Sequence, residues 1–351
     1  MTTLDLEAPR KAAPGPAHDD VLLHVEGLSK HYSTRVGAFG QTAQTVYALD
    51  DFSLDVMRGE TLSVVGESGC GKSTAGFTLL HLHAPTAGKV IYEGTDIARL
   101  NDEQLRPFRR KLQVVFQDPY STLNPRMTVG EALAEPLLFH KIATKAQVKD
   151  QIAQLLADVG LPERFAGSYP HQLSGGQRQR VVIARALACK PEFLVCDEAI
   201  SALDVSVQAQ IINLFQDLQE RYGLTYLFIA HDLAVVRHIS DRVVVMYLGR
   251  PAELAPKDKL FANPLHPYTR ALLSAVPEPD PVGERSRKRQ VLMGDVPSPA
   301  NPPSGCRFHT RCPVAVERCS REVPEWREAL PTQWVACHRA PGGPEPLAEG
   351  P

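Results

Sequence analysis

Nine consecutive residues, Gly66-Glu67-Ser68-Gly69-Cys70-Gly71-Lys72-Ser73-Thr74, follow the apolar run at 61–65 and have the spacing of a phosphate cradle. Glycine lets backbone N–H groups curl around phosphate oxygens without a Cβ in the way, and a helix starting near Lys72 would turn its positive dipole end towards the anion. In a G-x-x-x-x-G-K-S loop the lysine reaches the β- and γ-phosphates and the serine hydroxyl holds Mg²⁺, which gives Lys72 and Ser73 their expected roles. A glycine turn of this form also arises by chance, so the residues further along decide. The apolar run at 193–196 ends in Asp197 and Glu198, which strand alternation turns opposite ways. Asp197 suits Mg²⁺ coordination through a bound water, and Glu198 suits polarising the attacking water as general base. The strand at 112–116 delivers Gln117 to a loop from which its amide oxygen could reach a metal or a water at the phosphate. His231 follows the strand at 225–230, on the ligand edge of a parallel sheet, where an imidazole could hydrogen-bond a γ-phosphate. Taken singly, Gln117 reads as a surface amide, His231 as a structural histidine and the two acids as a solvated turn.

A second phosphate-facing device lies at Leu173-Ser174-Gly175-Gly176-Gln177, a turn that opens a helix running to 188. It again presents N–H groups at a helix N-terminus. One nucleotide does not need both ends, so Ser174, Gly175, Gly176 and Gln177 are expected to face ATP held by another subunit. Ser201-Ala202-Leu203-Asp204 follows the acidic pair. Tyr32, at the end of an early strand, offers a ring face to a purine and reads equally as a packed tyrosine.

These residues need an α/β scaffold. Alternating apolar positions at 21–32 and 46–56 predict a small antiparallel sheet, with a loop at 33–45 between them. A helix follows the glycine loop, a short strand lies at 89–92, and a basic helix lies near 105–111. From 127 to about 188 the period becomes helical, an insertion within the α/β core. The 351 residues carry 43% hydrophobic and 22% charged residues and a net charge of −2, which gives no general attraction to nucleic acid or to an anionic bilayer. No apolar stretch approaches the roughly 18 residues of a membrane helix. Residues 1–20 lack an apolar signal region and read as a disordered lead-in, so a cytosolic location is expected.

Taken together, the chain resembles the ATP-binding cassette (ABC) family of transporter ATPases. The Walker A loop is 66–74, the Q-loop is Gln117, the signature is 173–177, Walker B is 193–197 followed by catalytic Glu198, the D-loop is 201–204, and the switch histidine is His231. The resemblance implies a head-to-tail pair of cassettes with two ATP molecules between one subunit's Walker A and its partner's signature. Tyr32 matches the adenine-stacking position. Ala199 departs from the family, in which proline often follows the glutamate. The stretches Asn263-Pro264-Leu265-His266-Pro267-Tyr268-Thr269-Arg270, Asn301-Pro302-Pro303-Ser304-Gly305-Cys306 and Gln117-Asp118-Pro119-Tyr120-Ser121 are similar to oligopeptide, dipeptide and nickel importer ATPases.

What this implies is a P-loop cassette with a mixed core sheet, an antiparallel β subdomain and a helical insertion, followed by a small Cys-rich extension. The expected divisions are a lead-in at 1–20, the ATPase domain at 21–255 with its helical part at about 127–188, the extension at 256–340 and a disordered tail at 341–351. The proline-rich, charged stretch at 277–303 reads as a linker or extended arm. Implied partners are a second cassette, identical or paralogous, two integral-membrane permeases and, indirectly, an extracytoplasmic solute-binding protein. No nucleic acid is expected, and the place of work is the cytoplasmic face of the membrane. A soluble cassette acting on nucleic acid or ribosomes would need a coiled-coil insertion or a second cassette in the same chain. A P-loop kinase is opposed by the signature and by Glu198. Cys306, Cys312, Cys319 and Cys337 crowd the C-terminus in a stretch with little apolar material, where a metal cross-link would help. Zinc, with His309 or His338 as a substitute ligand, or packed free thiols are the other readings of the spacing. The family resemblance favours a [4Fe–4S] cluster.

Overall fold

The computed structural model describes residues 20–36, 42–275, 292 and 294–346. The expected lead-in lies outside the described residues but for Asp20, as do residues 347–351 of the expected tail and most of the proline-rich arm. Two long strands, β1 (Val21–Val36) and β2 (Thr42–Met57), form an antiparallel hairpin, to which β4 (Ala87–Tyr92) and the two-residue β5 (Thr95–Asp96) add in the order β2-β1-β4-β5. The loop expected at 33–45 is corrected, because the ladder continues through Ser33–Thr45 and Thr34–Gln44 to Val36–Thr42. Thr45 is β-branched and suits strand pairing better than a loop.

The main sheet has eight strands in the order β11-β12-β10-β9-β3-β8-β7-β6. Its parallel part comprises β3 (Thr61–Val65), β6 (Leu112–Val115), β7 (Phe193–Asp197), β8 (Thr225–Ile229) and β9 (Arg242–Tyr247). Every residue of β3, β7 and β8 is buried, as expected for strands covered on both faces. Leu248 and Gly249, with φ of 44° and 80°, then reverse the chain. Two successive positive φ values match the twist that a two-residue hairpin needs. The antiparallel strands β10 (Arg250–Pro256), β11 (Arg327–Leu330) and β12 (Gln333–Val335) complete the sheet.

Helices α1 (Lys72–Leu79), α2 (Asp102–Leu105), α3 (Phe108–Lys111) and α4 (Pro119–Thr122) lead into the helical insertion, so the one basic helix expected near 105–111 is two short pieces. The insertion consists of α5 (Val129–Phe139), α6 (Val148–Asp158) and α7 (Gly175–Leu187). Helix α5 starts where it does because Thr128 caps it: Thr128 Oγ1 accepts from the Glu131 N–H, and the Glu131 carboxylate accepts from the Thr128 N–H at 2.7 Å. Helices α8 (Val205–Tyr222), α9 (Leu233–Ile239), α10 (Lys257–Ala262) and α11 (Pro267–Ser274) follow. Among the described residues no helix is long and apolar enough to cross a membrane.

The expectation of a small Cys-rich extension is also corrected. Strand β12 pairs Val335 with Glu253 and Trp334 with Leu254, so the C-terminal residues extend the cassette's own sheet. Phe308 lies in the main core, with its ring centroid 5.2 Å from Tyr247 and 5.3 Å from Tyr268. A segment poor in apolar residues becomes ordered by borrowing a core that already exists.

Candidate active site

β3 feeds directly into the glycine loop. Gly66, Gly69 and Gly71 take φ of 153°, 77° and 104°. A Cβ on Gly66 would stand 2.3 Å from the Met246 carbonyl oxygen, and one on Gly71 would stand 2.1 Å from that of Ala48, so neither position admits a side chain. Neighbouring backbone pins the loop as well, through the Gly249 N–H to the Cys70 oxygen at 2.8 Å. Cys70 is buried, which pushes its thiol above the ordinary value. Lys72, at the first turn of α1, folds back so that Nζ donates to the Gly66 and Glu67 carbonyls at 2.9 and 3.1 Å. Ser68 and Thr74 complete the loop and the start of the helix.

The acidic strand end meets this loop. Ser73 Oγ donates to Asp197 Oδ1 at 2.8 Å across 124 residues of sequence. Burial raises the Asp197 carboxyl above the usual range, and the serine bond opposes that shift. Glu198 takes φ of 46°, an uncommon value for a residue with a side chain, and donates its N–H to the Ile229 carbonyl at 3.0 Å. Such backbone outliers concentrate at functional sites. Its Oε2 accepts from Gln117 Nε2 at 2.8 Å, and His231 Nδ1 lies 3.8 Å away on a largely exposed ring. Gln117 also reaches Ser201 Oγ at 3.4 Å, whereas none of its hydrogen bonds goes to Ser73 or Asp197. The ends of β6, β7 and β8, neighbours in the sheet, thereby place an amide, two carboxylates and an imidazole along one edge.

Tyr32 also comes near the loop. Burial raises its phenol, and a hydrogen bond with Thr74 opposes that shift. Its hydroxyl meets His83 Nδ1 at 2.8 Å, and the Lys30 ammonium lies 4.9 Å from the ring centroid. By contrast, no hydrogen bond among the described residues joins Ser174, Gly175, Gly176, Gln177 or Asp204 to the glycine loop. Ser174 caps α7, exchanging hydrogen bonds with Gln177. By helix geometry the N–H groups of Gly175 and Gly176 then have no partner within the helix. A Cβ on Gly176 would stand 2.6 Å from Val207 Cγ1, so α7 packs close against the start of α8. Asp204 caps α8, accepting from the Ser206 hydroxyl at 2.7 Å and the Val207 N–H at 3.0 Å, and these bonds hold its carboxyl below the ordinary range.

A hydroxyl and a carboxylate in mutual contact, Ser73 and Asp197, suit a hard cation that takes its remaining ligands from phosphate and water. Mg²⁺ is typically held by one or two carboxylates plus substrate phosphates rather than by an all-protein cage. The C-terminal cysteines differ. The Cys306 N–H donates to the Cys319 carbonyl at 2.8 Å. Burial pushes the Cys306 and Cys312 thiols up to about 12 and about 11. Yet among the described residues no three His, Cys, Asp or Glu side chains are arranged to hold a metal ion. Zinc is therefore not supported, and His309, whose Nδ1 meets the Cys306 carbonyl, and His338, whose Nε2 meets that of Glu322, belong to no such group. The arrangement gives no support to a cluster either.

Two residues that spacing alone did not single out also touch the loop. Tyr268 and Arg311 both contact Glu67, from 201 and 244 residues away. Tyr268 lies inside the stretch 263–270 and Arg311 directly before Cys312, and nothing in either place names the partner.

Fold and site together define a P-loop ATPase of the ABC class. The ABC transporter family model matches residues 49–201, and the oligopeptide/dipeptide transporter C-terminal region matches residues 252–319. The oligopeptide transport ATP-binding protein AppF of Bacillus subtilis (strain 168) is 53% identical over 323 residues, which span 92% of this chain and 98% of that protein. The probable peptide ABC transporter ATP-binding protein y4tS of Sinorhizobium fredii is 55% identical, over 92% of this chain and 91% of its own length. Among solved structures, the dimeric post-hydrolysis state of the ATP-binding cassette MJ0796 bound to ADP and Pi is similar, at a TM-score of 0.59 and 31% identity, over 67% of this chain and 98% of that one. The chain belongs to the ATP-binding proteins of the ABC transporter family, in the group that carries the oligopeptide/dipeptide C-terminal region.

Proposed function

We propose that this ATPase drives the import of di- or oligopeptides, as one of two cassettes seated on the cytoplasmic side of two integral-membrane permeases that an extracytoplasmic binding protein serves. The observation that carries this reading is the likeness to peptide-transport ATP-binding proteins over 92% of the chain, C-terminal region included. Within it, residues 21–255 form the cassette, about 127–188 its helical part and 256–340 the C-terminal region.

The chain's own residues divide the work. The glycine loop and Lys72 bind the phosphates, Ser73 and Asp197 seat Mg²⁺, and Tyr32 stacks on the adenine. When bound, Mg²⁺ neutralises charge that develops on the transferred phosphoryl group. Glu198 takes the proton of the attacking water, Gln117 orients that carboxylate, and His231 donates towards the γ-phosphate. Ser174, Gly175, Gly176 and Gln177 close on the nucleotide of the partner cassette, with this chain's own D-loop, Ser201 to Asp204, packed beside them. Deleting the subunit and measuring uptake of labelled oligopeptide and of nickel tests the cargo. Lost peptide uptake with intact nickel uptake is expected, the reverse would overturn the peptide assignment, and copurification with RNA instead of membrane proteins would overturn the importer.

The permease contact follows from a cavity of about 350 Å³ between β6 and the helical insertion, lined by Phe116, Thr122, Phe139, Val182 and Arg185 among others. Phe139 and Tyr120 are strongly exposed beside it, the latter beneath the Arg178 guanidinium at 3.6 Å. Gln117 lies on the loop that leads from β6 to α4, so a permease helix docked here would sense the state of the site. A carboxylate buried unpaired in such a contact costs on the order of 1–3 kcal/mol or more. Thr122→Glu and Phe139→Glu are therefore each expected to cut uptake about tenfold or more with ATP affinity unchanged, and normal transport by both would remove the docking site.

The finer reading of the cysteines is a [4Fe–4S] cluster. What supports this reading is the resemblance to peptide-importer ATPases together with the count of four C-terminal cysteines, one thiolate for each iron of a four-iron cube. Anaerobically purified protein is then expected to be brown, with iron and acid-labile sulfide lost in Cys312→Ser and Cys319→Ser. Colourless, metal-free protein would leave four packed thiols.

A further inference from the structure

The C-terminal region grips the second residue of the phosphate loop from two directions. Arg311 donates from Nη1 and Nη2 to the two carboxylate oxygens of Glu67 at 2.8 and 3.0 Å, a bidentate pair whose arginine side chain is only 7% exposed. Nη1 also reaches Tyr247 Oη at 3.4 Å, while the buried Nε has no partner. From the other side, Tyr268 Oη accepts the Glu67 N–H at 2.9 Å. Tyr268 is fully buried and is itself positioned by β10. The buried Glu253 carboxylate accepts from the Leu265 and His266 N–H groups at 2.8 Å each, which seats the start of α11, and His266 Nδ1 accepts from the Tyr268 N–H at 3.0 Å.

We propose that Arg311 and Tyr268 are positioning residues for the phosphate loop, so that nucleotide affinity depends on the seating of the C-terminal region. Two physical effects act in the same direction. Tyr268 fixes the peptide plane at Glu67, and a loop held in its binding conformation does not lose affinity to alternative states. Arg311 neutralises a carboxylate that would otherwise stand, unpaired, on a loop built for anions, and a bidentate guanidinium–carboxylate pair sets orientation as well as charge. The proposal depends on the phosphate loop alone and not on the transported solute.

Nucleotide binding by the isolated full chain tests it, with a fluorescent ATP analogue and Mg²⁺, alongside thermal unfolding of each variant. Arg311→Met is expected to weaken binding about tenfold, because a charged partner is lost and an unpaired carboxylate remains. Glu67→Gln, which removes the charge together with the anchor, should weaken it less. The double variant should recover to the level of Glu67→Gln, and raised salt should relieve the Arg311→Met defect selectively. Tyr268→Phe, which keeps the ring packing, should show a smaller loss, and in the assembled ATPase the effect of Arg311→Met should fall on KM rather than kcat. Unchanged affinity in Arg311→Met, or a double variant weaker than Arg311→Met, would overturn the proposal. Should Arg311→Met unfold, Glu67→Gln and Tyr268→Phe alone decide: wild-type affinity in both sinks it.

Discussion

Glu198→Gln is expected to lower steady-state ATP hydrolysis by about 10²–10⁴-fold, the range for loss of a general base, while ATP still binds. Glutamine keeps the shape and the left-handed backbone turn at this position, and its amide oxygen can still accept from Gln117, so loss of the base is separated from loss of the fold. His231 stands 3.8 Å from the carboxylate and is mostly exposed, so it does not replace the missing base. With phosphates, Lys72, Ser73 and Asp197 untouched, the nucleotide should stay trapped and the two-cassette form should accumulate. Single-turnover hydrolysis in the assembled complex, together with the mass of the ATP-bound species in solution, gives both readouts. Hydrolysis at the wild-type rate would remove Glu198 from its assigned role.

The features legible in the sequence were those whose cause is local. The glycine loop must follow a buried strand and open a helix, and the mainly apolar runs at 61–65, 193–196 and 225–229 are unbroken by charge because both faces are covered. Sequence order also placed Gln117, Glu198 and His231 at strand ends. Their meeting depends on strand order: β6, β7 and β8 are adjacent in space although about 80 and 30 residues separate the three side chains. Spacing cannot supply that adjacency. The strand extension beyond Tyr32 is not legible in the glycine-containing stretch 33–45, because the pairing of Thr34 with Gln44 is a cross-strand property. The placing of the C-terminal region is hidden for the same kind of reason. Its poverty in apolar residues is real, but Phe308 and Tyr268 are buried in the cassette's own core against Tyr247 of β9, while Val335 lies in a small cluster of its own on a strand paired with β10, and only the tertiary structure shows this.

Lys72→Ala should fail at the opposite step from Glu198→Gln. Lys72 is nearly buried, and its ammonium donates to two carbonyls of the loop that it must also serve as a cation, so alanine removes both a charge for the phosphates and a brace for the backbone. Hydrogen bonds to charged groups contribute roughly 1.5–3 kcal/mol, which corresponds to a loss of affinity of about 10- to 100-fold. Thermal unfolding reports this without any need for turnover. At ATP one hundred times above the wild-type Kd, ligand binding stabilises the wild-type chain by about 2.7 kcal/mol, and a hundredfold weaker variant would retain only about 0.4 kcal/mol of that. The ATP-dependent rise in Tm should therefore nearly vanish in Lys72→Ala and persist in Glu198→Gln. Ser73→Ala adds a control for the metal: because its hydroxyl bonds Asp197, its defect should appear with Mg²⁺ present and shrink when Mg²⁺ is chelated, whereas the Lys72→Ala defect should remain in both conditions. An ATP-induced Tm shift of wild-type size in Lys72→Ala would show that the phosphates are held without this lysine.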